Sequence, residues 1–201
     1  MSTPLTSRPE VVFGGGVLGA KKCPDAEHAK AWADLFRSYG HTKFDSSISY
    51  PLENPGESER LLRSSGAASW GVIDTKTGSF GEKPHSRENL LNSIQQSIKH
   101  LGFEDGSGQI DVMYLHIPCT DVAFEQTVAA MDEARKQGLF KRFGISNYSP
   151  EQVEQLCEIA KKNGWTLPSV YQGQYNALAR SGEKTLFPVL RNYGISFYAY
   201  T

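Results

Sequence analysis

Six short segments of this chain end in side chains suited to proton transfer or to holding a polar ring. They are FDSSISY with Asp45 and Tyr50, VIDTKTG with Lys76, YLHIP with His116, GISNYS with Ser146 and Asn147, VYQGQYN with Gln172, and FYAYT with Tyr200. A carboxylate, a phenol, an ammonium and an imidazole make up a general acid–base set. Each has an ordinary reading as well. Asp45 and Asn147 suit turns, Tyr50 beside Pro51 suits a packed loop, Lys76 suits solvent, and His116 suits a hydrogen-bonded core position. The conjunction carries the signal, because independent turns need not choose a proton-transfer set.

What must position these residues is an alternation of short apolar runs with longer amphipathic stretches. The pattern predicts strands at Val11–Phe13, Lys43–Asp45, Trp70–Asp74, Ile110–Leu115, Arg142–Ile145, Ser169–Gln172 and Ile195–Ala199. Between them it predicts helices near Asp25–Ser38, Ser58–Arg63, Arg87–Leu101, Ala123–Gln137, Pro150–Lys162 and Glu183–Asn192. Ser149-Pro150 places a capping hydroxyl before a proline at the first helical position. Gly138, Gly164 and Gly194 follow helical runs, where a left-handed cap is wanted. The strands are apolar rather than strictly alternating, as expected when both faces are covered.

Seven β units and six helices predict an α/β fold with a parallel sheet in one domain over residues 1–201. An open doubly wound sheet would hold a ligand at one switch point. A (β/α)8 barrel of the TIM type would place polar residues after many strands, and that is the distribution here. Gly14-Gly15-Gly16-Val17-Leu18-Gly19 fits GxGxxG literally. A dinucleotide fingerprint needs a helix opening at the second glycine, whereas Cys23-Pro24 interrupts and the helix starts at Asp25.

Composition narrows the partners. Lys and Arg number 21 against 22 Asp and Glu, which argues against a nucleic-acid binder. The polar first ten residues predict no secretory leader, and no run reaches the roughly 18 apolar residues of a membrane span. Cys23, Cys119 and Cys157 are odd in number and far apart, which predicts a reducing, cytoplasmic setting rather than a disulfide framework. No metal motif is present.

Across essentially its whole length the chain resembles the aldo-keto reductase family. The resemblance rests on Asp45 to Tyr50, on Gly56-Glu-Ser-Glu-Arg-Leu-Leu62, on Ile110 to Pro118, and on Lys141-Arg-Phe-Gly-Ile-Ser-Asn147. Tyr171 to Ala177 and Phe197 to Tyr200 are most similar to the aflatoxin-aldehyde-reductase branch. The resemblance implies a (β/α)8 barrel, an NADPH cofactor and reduction of a small-molecule aldehyde or ketone. Such a reaction needs a hydride on carbon and a proton on oxygen. It implies Tyr50 as the acid, Lys76 as the ammonium that stabilises the phenolate, Asp45 as the anchor of Lys76, and His116 as the group orienting the substrate oxygen. On the cofactor side it implies Ser146, Asn147 and Gln172 at the carboxamide, Tyr200 stacked on the nicotinamide, and Gly15 for close backbone approach.

The chain stops at Thr201, after the seventh predicted strand, where such a barrel typically runs to about 250 residues. The expectation is a C-terminally truncated barrel without the segments that grip the cofactor phosphates in the family. Weak or absent NADPH binding, and a homo-oligomer covering open sheet edges, follow from it. Three readings stand at this point. They are a carbonyl reductase, a cofactor-independent dehydratase, isomerase or cyclase on the same scaffold, and a non-catalytic remnant.

Overall fold

The computed structural model describes residues 9–201. Seven strands, β1 (Val12–Gly14), β2 (Lys43–Asp45), β3 (Val72–Lys76), β4 (Ile110–Leu115), β5 (Phe140–Ser146), β6 (Val170–Gln174) and β7 (Ser196–Tyr200), each pair in parallel with the next in chain order. Six helices, α1 (Ala26–Ser38), α2 (Glu57–Ser64), α3 (Arg87–Leu101), α4 (Phe124–Lys136), α5 (Pro150–Asn163) and α6 (Leu186–Asn192), lie between them. A doubly wound sheet reverses its strand order at the switch point; this order never reverses. The sheet also curls, bringing distant strands within hydrogen-bond reach. Lys43 Nζ on β2 donates to the Tyr198 hydroxyl on β7 at 3.0 Å. Gln172 Nε2 on β6 donates to Asp45 Oδ1 on β2 at 2.9 Å. The architecture is an incomplete (β/α)8 barrel of seven strands.

Local chemistry accounts for most boundaries. Asp25 caps α1 by accepting the His28 amide at 3.0 Å. Ser149 and Gln152 form a reciprocal capping box at the start of α5, with Pro150 in its first turn. Two elements, β3 and α6, start two or more residues later than predicted. Ala67–Ser69 forms a 3-10 turn ending against Trp70, so β3 begins at Val72 and Lys76 is its last residue rather than a loop residue. Ser181–Glu183 is likewise a separate 3-10 turn ahead of α6.

Alternate strand residues point to opposite sides. Phe44, Ile73, Met113, Leu115, Phe143, Ile145 and Tyr171 are buried in the large apolar cluster shared with the helices. Val112, Tyr114 and Val170 form a smaller buried cluster, with Tyr198 packed on it. Gly144 on β5 belongs beside this second set: a β-carbon there would lie 2.5 Å from the Tyr114 ring and 2.6 Å from Val112 Cγ1, so the aromatic ring occupies the space a side chain would need. The interior is more polar than uniformly apolar strands would make it. Lys43 lies 3.3 Å from Asp111 and 3.7 Å from Asp74, and Arg142 pairs with Asp111 at 2.6 Å. Mutual pairing across neighbouring strands makes this polarity tolerable.

Asp74 is the costly member of that group. It is fully buried, its Oδ1 accepts the Val112 amide at 3.2 Å, and its Oδ2 has no hydrogen-bond partner among the described residues. Burial pushes its carboxyl up from 3.8 to about 7, against the pull of Lys43. The folded state therefore holds this proton more tightly than the unfolded chain does. Its contribution to stability is present below pH 4 and is lost as pH rises through about 7. Asp74→Asn is expected to be more stable than wild type at pH 8 by on the order of 1–3 kcal/mol, with no gain near pH 4. Urea unfolding at both pH values checks this; an equal gain at both would show that ionisation of Asp74 is not the cause.

Candidate functional site

The C-terminal ends of the strands converge on a cavity of about 340 Å³. Seven of the nine sequence-predicted site residues line it: Asp45, Tyr50, His116, Ser146, Asn147, Gln172 and Tyr200. The other two stand behind its wall. Lys76 is 1% exposed. Gly15 is buried; a β-carbon there would lie 2.5 Å from the Asp45 carbonyl oxygen, so its neighbours Gly14 and Gly16 form the cavity surface instead.

Lys76 is held by three hydrogen bonds. Its ammonium donates to both Asp45 carboxylate oxygens at 2.7 Å and to the Ser46 carbonyl at 2.7 Å. Those bonds match its three donors. The charge sits 4.9 Å from the centroid of the Tyr50 ring and 5.8 Å from that of Tyr114, inside cation–π range. The ion pair thus lies against the face of the phenol it is expected to influence.

His116 stands on the other side of Tyr50. Its Nε2 is 3.5 Å from the Tyr50 hydroxyl, and the two rings meet edge-on at 5.5 Å. Burial, helped by the Lys76 charge, pulls its pKa down from 6.5 to about 4, so the ring is neutral near pH 7. A neutral imidazole donates from one nitrogen and accepts at the other. Ser47 Oγ accepts the Ser49 amide at 3.1 Å, and its own hydrogen is free to reach His116 Nδ1 at 3.3 Å. With Ser47 as the donor, the ring hydrogen is on Nε2, on the side of the Tyr50 hydroxyl.

Of the polar side chains predicted for a cofactor, Ser146, Asn147 and Tyr200 form a connected row and Gln172 stands apart, on Asp45. Asn147 has a left-handed backbone (φ 65°), uncommon for a residue other than glycine. Its amide nitrogen donates to the His116 carbonyl and to Ser146 Oγ, both at 3.0 Å, and its oxygen accepts the Tyr200 hydroxyl at 2.6 Å. Gln172 uses its amide nitrogen on Asp45. The sequence reading assigned no role to Ser46 or Ser47. Their only signal was position, inside the five-residue interval between Asp45 and Tyr50.

Comparison with known proteins adds a second line of observation. A family model described as "Aldo/keto reductase family" matches residues 10–201. An aldo-keto reductase of Pseudocercospora fijiensis is 37% identical over 170 residues, covering 84% of this chain and 56% of that protein. Human aflatoxin B1 aldehyde reductase member 2 is 35% identical over 205 residues, covering 100% of this chain and 55% of that protein. Oxidoreductase sirO of Leptosphaeria maculans is 33% identical over 201 residues, covering 96% and 59%. The chain spans about half the length of the curated relatives it matches. No helix among the described residues is long and apolar enough to cross a membrane.

Proposed function

This chain belongs to the aldo/keto reductase family, and on that premise we propose that it reduces an aldehyde or ketone to an alcohol with NADPH, Tyr50 serving as proton donor. One observation carries the reading. The Tyr50 hydroxyl, the Nε2 of a neutral His116 and the face-on Lys76–Asp45 ion pair meet at one cavity wall.

The residues present fit the nicotinamide end of the cofactor. A nicotinamide carboxamide needs fixed donors and acceptors, and Ser146, Asn147 and the carbonyl oxygen of Gln172 line the cavity beside the Tyr200 ring. When bound, NADPH supplies the hydride. The chain's own residues do the rest. His116 Nε2–H orients and polarises the substrate oxygen. Tyr50 holds the proton that this oxygen takes. The Lys76 ammonium, pinned by Asp45, stabilises the phenolate left behind. The substrate is a small carbonyl compound, and the protein works as a soluble cytoplasmic enzyme.

Titration of the purified chain with NADPH, followed by cofactor fluorescence, tests the proposal. Saturable binding is expected, weakened about tenfold in Gln172→Leu, which removes the amide while keeping the volume. Consumption of NADPH with an aromatic aldehyde is expected alongside. Absence of binding at millimolar NADPH would overturn the reductase reading.

A further inference from the structure

The segment Gly56 to Leu62 opens α2 and does not line the cavity, yet its second and third helical residues are polar and fully buried. Ser58 and Glu59 are both 0% exposed. Such burial is costly unless every polar atom is engaged. Most of their partners connect to the proton-transfer set: Tyr50 belongs to it, and Gly15, Ser46 and Thr75 lie beside its members.

Ser58 makes three contacts. Its amide donates to the Tyr50 carbonyl at 3.1 Å. Its hydroxyl donates to the Gly15 carbonyl at 2.8 Å and accepts the Ser46 hydroxyl at 2.8 Å. Ser46 in turn offers its carbonyl to the Lys76 ammonium. Glu59 reaches the neighbouring strand: Thr75, directly before Lys76, donates its hydroxyl to Oε1 at 2.6 Å. The second oxygen, Oε2, is 2.9 Å from His100 Nδ1. Arg60 donates to His100 Nε2 at 3.3 Å, so the imidazole hydrogen is on Nδ1 and is given to Glu59.

We propose that Ser58 and Glu59 are positioning residues for carbonyl reduction, a two-residue strut that fixes β2, β3 and the Tyr50 loop against one another so that Lys76, Asp45 and Tyr50 keep their spacing. The inference deepens the reductase reading and rests on it for its kinetic consequence. The physical reason is the commitment of Lys76. All three of its donors are taken up by Asp45, the last residue of β2, and by Ser46 directly after it, so the ammonium follows any shift of β3 against β2. A carboxylate bonded to Thr75 on one side and anchored through His100 on the other resists that shift in direction as well as distance. Apolar packing alone would not set the direction. An ångström of misplacement at a catalytic group can cost on the order of 10²-fold in rate.

The test combines selective lysine acylation with kinetics on the full chain. Wild type, Glu59→Gln, Thr75→Val, Thr75→Ser and Ser58→Ala are treated with dilute acetic anhydride, and labelling of each lysine is read by peptide mass spectrometry. Lys43, 4% exposed in the same barrel, is the internal control. The expected result is roughly a tenfold rise in Lys76 labelling in Glu59→Gln and Thr75→Val, with Lys43 unchanged and Thr75→Ser restored to wild type. In the same variants kcat is expected to fall on the order of 10- to 100-fold, with KM within about twofold. Equal rises at Lys43 and Lys76 would overturn the proposal, because they signal general loosening. So would a lowered melting temperature with Lys76 still protected and kcat intact. Labelling does not depend on turnover, so a wild type without reductase activity sinks the reductase reading while the positioning claim is still judged. If Glu59→Gln does not fold, Thr75→Val and Ser58→Ala carry the test.

Discussion

Tyr50→Phe is expected to lower kcat for carbonyl reduction by about 10²–10⁴-fold, the range typical of a lost general acid. The substitution removes one oxygen and little else. Among the described residues the hydroxyl's one hydrogen-bond partner is His116 Nε2 at 3.5 Å, while the backbone carbonyl that accepts the Ser58 amide is untouched. The ring keeps its edge-on contact with His116 and its place over Lys76. The melting temperature should therefore stay within about 2–4 °C of wild type, the shift that roughly 1 kcal/mol produces in a domain of this size. Because the proton moves only in the chemical step, the loss should appear in kcat and kcat/KM together. Steady-state NADPH oxidation and a thermal melt on the same samples check both halves. A variant with wild-type kcat would remove Tyr50 from the role of proton donor.

Lys76→Met is expected to cost as much activity and, unlike Tyr50→Phe, to cost stability as well. Methionine fills most of the volume without the charge. It leaves Asp45, whose side chain is 13% exposed, with the Gln172 amide in place of an ammonium, and it strands the Ser46 carbonyl. Removing one partner of a buried ion pair typically costs about 3–5 kcal/mol. Adding Asp45→Asn to Lys76→Met removes the orphaned charge, so the double variant should regain much of that stability. Its rate should stay at least about 10²-fold below wild type, because the charge that stabilises the phenolate is still missing. Chemical unfolding and kcat on the two single variants and the double variant form the cycle that separates these effects. Recovery of activity together with stability would show that the pair serves only the fold.

Much of this architecture was legible in one dimension because its determinants are local. The Asp25 carboxylate and the Ser149 hydroxyl reach amides three residues away, and left-handed glycines stand at 138, 164 and 194. The strand positions of β2 and β4 were readable to the residue. At the starts of β3 and α6, where prediction slipped, a 3-10 turn occupied the boundary, and such turns leave little periodicity; β5 also begins two residues before its predicted start, at Phe140. The interior group of Lys43, Asp74, Asp111 and Arg142 was not legible either. Each stands on a different strand, and only pairing across strands turns the four charges into a network.

By itself, then, the sequence determined which residue types end each strand, the order of the elements, and a barrel-like distribution of polar residues. Only the tertiary structure decided which of those residues meet. Asp45 and Gln172 are 127 positions apart and Lys43 and Tyr198 are 155 apart, yet each pair is joined by one hydrogen bond. Tertiary structure also moved Gly15 out of the cavity surface, made Lys76 a buried strand residue, and gave Ser47, Ser58 and Glu59 their partners. The reason is geometric. A strand's side chains alternate with a period of two, and nothing within the strand says which set faces the cavity. That choice is made by register against the neighbouring strands and by the curl of the whole sheet.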